Sequence, residues 1–286
     1  MSRQGSGNSR QALGEVETAL SVDDVAREAA LIAARGPKRE ELKTLAGGAP
    51  RLSIESLTAG YGRMEILHQI DLYVGPGQSL CLIGPNGAGK STVLHSIYGF
   101  TNIRGGCICM GDTEITHLSP KDKLRHARIA YILQDNSVFP DMTVEENLNM
   151  GGYLLNDRQA VREATERVLD KYPRLAERRQ QRAGVLSGGE RRLLEISRAL
   201  IMQPEALLVD EPSIGLEPRY IDMVFGILDD LQHQDGKTII LVEQNATKGL
   251  EFADIGYVLV SGQVALAGRG DELLKNPEVE RLFLGG

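Results

Sequence analysis

One stretch of the chain carries residue types and spacing suited to holding a polyphosphate. It is Ser79 to Ile97, SLCLIGPNGAGKSTVLHSI. Gly84 to Ser91 fits G-x-x-x-x-G-K-S/T, the P-loop pattern. Glycines let backbone N–H groups close around phosphate oxygens where side chains would intrude. Lys90 brings a point charge to the β- and γ-phosphates, and Ser91 offers a hydroxyl to Mg²⁺. The candidate triphosphate-binding residues are Gly84, Pro85, Asn86, Gly87, Ala88, Gly89, Lys90, Ser91 and Thr92.

Further chemistry lies downstream. Ser187-Gly188-Gly189-Glu190 precedes a long helical run. It offers exposed N–H groups, a hydroxyl and a helix N-terminus, a second phosphate-binding design. Ala206 to Val209 reads as a buried strand that delivers Asp210-Glu211 at its C-terminal end, the edge where open α/β sheets bind ligands. Asp210 is suited to holding Mg²⁺ through water or Ser91, and Glu211 to polarising an attacking water. The strand Ile129–Leu133 ends at Gln134. Tyr61 sits in a turn before the P-loop strand, where a ring can stack on adenine. Alone, such a tyrosine is more often a core or turn residue.

The elements that must position these groups follow from pattern. Leu80 to Ile83 reads as a buried parallel strand. Val93, Leu94 and Ile97 share one side of the helix after the loop. Leu52–Leu57 and Ile70–Val74 read as short strands, and Gly105–Ile115 as a hairpin about Gly111-Asp112. Thr143 and Glu146 form a capping box. A helix is predicted from Asn156 to about Tyr172, with Val161, Ala164, Val168 and Leu169 on its apolar side. Arg174 to Arg182 is strongly basic and reads as a solvated face. Helices at about Glu190–Met202 and Arg219–Gln232, a strand at Thr238–Val242 and a hairpin about Ser261-Gly262 complete the core. Asp271 to Phe283 reads as a closing helix, interrupted at Pro277.

Bulk properties narrow the choices. The 286 residues suit one large domain with extras. A net charge of −7 argues against a protein built around bare nucleic acid. No apolar run approaches the ~18–20 residues a membrane span needs. None resembles a secretory signal, so the product is expected in the cytoplasm. Cys81, Cys107 and Cys109 read as reduced structural thiols. Residues 1–50 stand apart. Met1 to Arg10 is polar and reads as disordered, Ser21 to Ala34 reads as a helix, and Gly47 to Pro50 as a linker. An inert extension is the favoured reading over a docking arm.

Taken together, the set resembles the ATP-binding subunit of ABC transporters. The matches are Tyr61 (adenine-stacking loop), Gly84–Ser91 (Walker A), Gln134 (Q-loop), Leu186–Glu190 (the LSGGE signature) and Leu207–Glu211 (Walker B with its glutamate). Within that family the chain is most similar to the ATPases of branched-chain (hydrophobic) amino-acid importers. The phrases are MTVEENLNMGG, YPRLAERRQQRAGVLSGGE, DEPSIGLEP, LVEQNATKGLEFADIGYVL and the closing LFLGG. Urea and short-amide importers use similar subunits. The resemblance covers Arg51 to Gly286. It implies an α/β P-loop core with an antiparallel β subdomain and a helical insert at about 140–183.

It also implies ATP and Mg²⁺ as ligands, with Ser91, Gln134 and Asp210 on the metal and Glu211, Lys90 and Gln244 in catalysis. Ser187–Glu190 would act in trans, in a head-to-tail dimer with a copy or a paralogue. Partners would be two transmembrane permease subunits and, indirectly, an extracytoplasmic solute-binding protein, with no nucleic acid. The subunit would lie peripherally on the cytoplasmic face of the membrane, with permease helices docking beside Gln134–Asn149. Two positions depart from the wider family: Gln244 stands where a switch histidine is usual, and Glu217 replaces the D-loop aspartate. Two rival readings fit less well. A soluble ABC ATPase of ribosome or DNA-repair type would carry a second P-loop or a long coiled coil. A non-catalytic partner would not keep Lys90, Asp210 and Glu211 together.

Overall fold

The computed structural model describes residues 36–134 and 137–281. The expected helix at Ser21–Ala34 and the Met1–Arg10 tract lie outside these residues. The chain runs through α1 (Arg39–Leu45), β1 (Leu52–Tyr61), β2 (Met64–Val74), β3 (Ser79–Ile83), α2 (Lys90–Tyr98), β4 (Asn102–Met110), β5 (Thr113–Glu114), α3 (Pro120–Arg125) and β6 (Ile129–Ile132). Next come α4 (Val144–Gly151), α5 (Arg158–Lys171), α6 (Pro173–Ala176) and α7 (Gly188–Leu200). The last part holds β7 (Ala206–Asp210), α8 (Pro218–His233), β8 (Thr238–Val242), α9 (Ala246–Phe252), β9 (Ile255–Val260), β10 (Gln263–Arg269), α10 (Gly270–Leu273) and α11 (Pro277–Val279).

Strands SLCLI, ALLVD and TIILV are buried at every position. Such runs need both faces covered, which a parallel sheet between helical layers provides. They are central in a six-stranded sheet of order β10-β9-β3-β8-β7-β6. All neighbours in it are parallel except β10 on β9. Side chains alternate between two apolar clusters. Leu80, Leu82, Leu208, Ile240 and Val242 meet Val93, Leu94 and Ile97 of α2. Cys81, Ile83, Leu207, Leu241 and their neighbours meet Val224, Leu228 and Leu231 of α8. Because β3, β8 and β7 are adjacent and parallel, their C-terminal ends bring the P-loop, Glu243-Gln244 and Asp210-Glu211 to one edge.

A second, antiparallel sheet of order β2-β1-β4-β5 covers the other side of α2. The sequence suggested strands at Leu52–Leu57 and Ile70–Val74. Pairing carries both on to the turn at Gly62-Arg63, where Tyr61 faces Met64. The extra residues lack strict alternation because register shifts interrupt the ladder. Helix α1 was not expected. Leu42 and Ala46 join the apolar cluster under β2, Arg39 pairs with Asp71 at 2.8 Å, and the Gln78 Nε2 donates to the Leu45 carbonyl at 3.2 Å. The segment read as an extension up to Pro50 therefore contains a core helix from Arg39 onward. Seven residues are too few to display helical periodicity.

The helical insert has its own apolar cluster, built from Val144, Leu148, Ala164, Val168, Leu169 and residues of α7. Thr143 caps α4 with the expected capping box. Helix α7 serves two layers: Leu193 and Leu194 face the insert, and Ile196 faces the sheet. The expected closing helix divides within its described part. Asn276 caps α11 through the N–H groups of Glu278 and Val279, and Pro277 cannot continue the helix before it.

Candidate nucleotide site

The P-loop joins β3 to α2. Gly84 has φ +143°, and a Cβ there would lie 2.1 Å from the Leu259 carbonyl oxygen, so only glycine fits. The buried Lys90 arches back over the loop. Its Nζ donates to the Gly84 and Pro85 carbonyls at 2.9 and 3.1 Å. Burial pulls its pKa down, against the pull of Glu211 and Asp210. The ammonium thus stays at the mouth of the loop where phosphate would arrive.

Asp210 is 3% exposed. The Ser91 hydroxyl donates to its Oδ1 at 3.1 Å and the Tyr131 hydroxyl to its Oδ2 at 2.9 Å. Glu211 turns the chain with φ 43°, and its N–H donates to the Val242 carbonyl at 2.9 Å. Burial, followed by the Asp210 charge, raises the Glu211 pKa, while Lys90 opposes the rise. This favours a base able to accept a proton nearer neutrality. The Gln134 Nε2 donates to the Glu211 Oε2 at 2.7 Å. In this structure Gln134 therefore meets the candidate base, while Ser91 and Asp210 form the hard-oxygen pair.

Tyr61 stands at the tip of the β1–β2 hairpin, 41% exposed. Its hydroxyl is hydrogen-bonded to His95 Nδ1 on α2, which ties the exposed ring to the P-loop helix. Gln244, by contrast, is exposed on the loop after β8.

Ser187 caps α7 in a reciprocal box. Its Oγ and its N–H both donate to Glu190 Oε2 at 2.9 Å. Burial alone would raise the Glu190 pKa, but these bonds, with Arg174 and Arg178, hold it below the usual range. The two arginines reach Glu190 Oε1 at 3.2 and 2.9 Å, and Arg179 bridges Glu145 and Glu166. The basic run is thus a set of ion pairs, and part of it fixes the Ser-Gly-Gly loop; a freely solvated face does not describe it. Among the described residues no hydrogen bond or ion pair joins Ser187–Glu190 to the P-loop of the same chain.

The ABC transporter family model matches residues 67–214, from before the P-loop to beyond Glu211. The chain is 41% identical over 235 residues to the high-affinity branched-chain amino acid transport ATP-binding protein BraG of Pseudomonas aeruginosa, covering 82% of this chain and 100% of that protein. It is 38% identical to the probable branched-chain amino acid transport ATP-binding protein LivF of Archaeoglobus fulgidus, covering 80% and 96%. The crystal structure of an ATP-binding cassette of an ABC transporter in its ADP conformation superposes with a TM-score of 0.74 at 28% identity, over 83% of this chain and 99% of that one. The chain belongs to the ABC transporter family.

It is an ATP-binding, ATP-hydrolysing cassette of that family, and its fold is the family's α/β core with an antiparallel sheet and a helical insert. Three residues of this ABC cassette were not singled out from sequence. Tyr131 completes the bonding of Asp210. Glu243, 2% exposed, accepts from Ser213 Oγ at 2.7 Å and from the N–H groups of Gln244 and Asn245. Arg192 reaches two backbone carbonyls beside the site. Only Tyr131 left a trace in the sequence, as a polar-tipped ring in an apolar strand leading to Gln134.

A cavity of about 570 Å³ opens where the core meets the helical insert. Tyr98, Leu124, Tyr131, Phe139, Met150 and Tyr153 line it. Phe139 and Tyr153 are 42% and 79% exposed. No helix among the described residues is long and apolar enough to cross a membrane.

Proposed function

We propose that this chain is the ATPase subunit that powers import of branched-chain or related hydrophobic amino acids. One observation carries the substrate class: similarity to BraG runs the whole length of that protein at 41% identity.

In this reading the P-loop N–H groups and Lys90 hold the β- and γ-phosphates, and the Tyr61 ring stacks on adenine. Ser91, Asp210 and Gln134 would hold Mg²⁺. A hydroxyl, one carboxylate and an amide oxygen suit a small hard cation that keeps several waters. The ion would neutralise charge on the phosphate oxygens. Glu211 takes the proton of the attacking water, and Gln244 hydrogen-bonds the γ-phosphate from the switch position.

Ser187–Gly189 would serve the nucleotide of a second ATP-binding subunit, packed head to tail. The apolar cavity beside Gln134 would receive cytoplasmic helices of two separate membrane subunits. The subunit would then sit peripherally on the cytoplasmic face, with an extracytoplasmic binding protein delivering the solute. Copurification with membrane subunits, then ATP hydrolysis in vesicles with the binding protein, tests this. Stimulation by leucine, isoleucine or valine is the expected result. Stimulation by urea or short amides alone would overturn the substrate class.

A further inference from the structure

We propose that Arg192 is a positioning residue for the hydrolytic pair Glu211–Gln134, holding from the signature helix the backbone just before each of them. The inference rests on reading Glu211 as the water-polarising base.

Arg192 lies on α7 and is 6% exposed. Its Nη1 donates to the Leu133 carbonyl at 2.9 Å, and its Nη2 to the Asp210 carbonyl at 3.3 Å. These carbonyls belong to the peptide groups that lead into Gln134 and Glu211. The two side chains then meet at 2.7 Å. One guanidinium therefore spans two chain segments whose next residues must touch.

The Asp210–Glu211 peptide has a particular need of this. Glu211 sits in the left-handed region at φ 43°, which disfavours any residue with a Cβ and persists only when its surroundings hold it. The Val242 carbonyl takes the N–H of that peptide, and Arg192 takes its C=O. Both polar ends of the strained turn are thus gripped.

Glu195, 4% exposed, balances the charge. Its Oε2 accepts from Arg192 at 2.7 Å and its Oε1 from the Ser137 N–H at 2.8 Å. Arg198 donates to the Ser137 carbonyl at 2.5 Å. Helix α7 therefore grips the chain at Leu133 and again at Ser137, on either side of Gln134. A buried ion pair loses in desolvation much of what it gains in attraction, so it is weak support for stability. What the fork of Arg192 provides is geometry, since a lysine ammonium is a point charge without the planar, two-pronged donor set. Ser187 caps the same helix, so the signature loop sits on the element that grips the backbone beside the hydrolytic pair.

The test uses the purified full-length chain with Arg192→Gln and Glu195→Ala together, so that neither charge is left alone. The expected result is a fall in kcat of roughly ten- to hundredfold, the scale of loss that a misplacement of about 1 Å produces. The kcat should fall more than the KM for ATP rises, since Lys90 and the P-loop make no hydrogen bond with Arg192 among the described residues, and the far-ultraviolet circular dichroism should be unchanged. An unchanged kcat, or a raised KM with kcat retained, would overturn the inference. If the double variant does not fold, Arg192→Lys carries the test, because it keeps the charge facing Glu195 without the fork; wild-type kcat there overturns it equally. Glu211→Gln is run alongside. Turnover retained in that variant would overturn both the base and the inference. Turnover lost there but normal in the Arg192 variants would overturn the inference alone.

Discussion

Lys123 offers a sharp test of the packing behind the P-loop helix. Its side chain has no exposed surface. Nζ donates to the Ile97 carbonyl at 2.6 Å and to the Ser96 carbonyl at 3.4 Å. These carbonyls belong to the last turn of α2, which has no intrahelical donors for them. No carboxylate pairs with Lys123 among the described residues, and burial pushes its pKa down to about 8. The unfolded chain holds lysine at its ordinary value, about 10.4. Below pH 8 both states carry the proton, and the group adds no slope to stability. Between pH 8 and about 10.4 the folded chain has released the proton and the unfolded chain keeps it. Stability must then rise with pH, because the unfolded state binds more protons. From pH 7 to pH 9.5 the gain is about 2 kcal/mol from this group alone. Other titrating groups contribute too, so the quantity to measure is the difference between wild type and Lys123→Met. Urea unfolding of both proteins at pH 7 and pH 9.5 gives it. The wild type should gain about 2 kcal/mol on the variant over that interval. A difference that does not change with pH, or that moves the other way, would refute the lowered pKa of the Lys123 ammonium.

Further outcomes are expected. Glu211→Gln should keep ATP binding and lose turnover by ~10²–10⁴-fold, the usual effect of removing a general base; undiminished steady-state hydrolysis would refute its role. The same raised pKa means that the acidic limb of turnover should lie above the ordinary glutamate range, and a rate–pH profile measures this. Leu42→Ala should destabilise the folded chain by about 2–5 kcal/mol, because it empties a core position under β2, whereas removal of residues 1–35 should leave the contacts of α1 in place; a thermal melt of each distinguishes them. Gln244→His should leave ATP affinity within about a few-fold and raise single-site turnover, because an imidazole can change charge near neutral pH and an amide cannot. That measurement requires the second site's catalytic glutamate to be silenced, and a fall in rate would show that the amide is needed as it stands.

Several features of this protein were legible without coordinates because each is local. The P-loop needs consecutive backbone N–H groups and one lysine, so its chemistry is written in adjacent residues. The same holds for Ser187–Glu190, where a helix N-terminus and its capping box lie within four positions, and for Asp210-Glu211 at the end of a fully apolar strand. Runs such as SLCLI and TIILV announce a doubly covered parallel sheet by themselves. What remained hidden were arrangements between residues that are far apart in the chain and belong to no motif. Tyr131 reaches Asp210 only because β6 pairs with β7. The arginines at 174 and 178 read as surface charge until the fold brings them to Glu190. Helix α1 looked like an appendage because its buried Leu42, with Ala46 just past its end, finds its partners beneath β2. Arg192 lay unremarked in a helix already explained by its signature, since nothing in its neighbours points to the Leu133 and Asp210 carbonyls. Local chemistry is set by covalent neighbours, whereas the support of a candidate catalytic pair is set by packing, which joins residues that the sequence keeps apart.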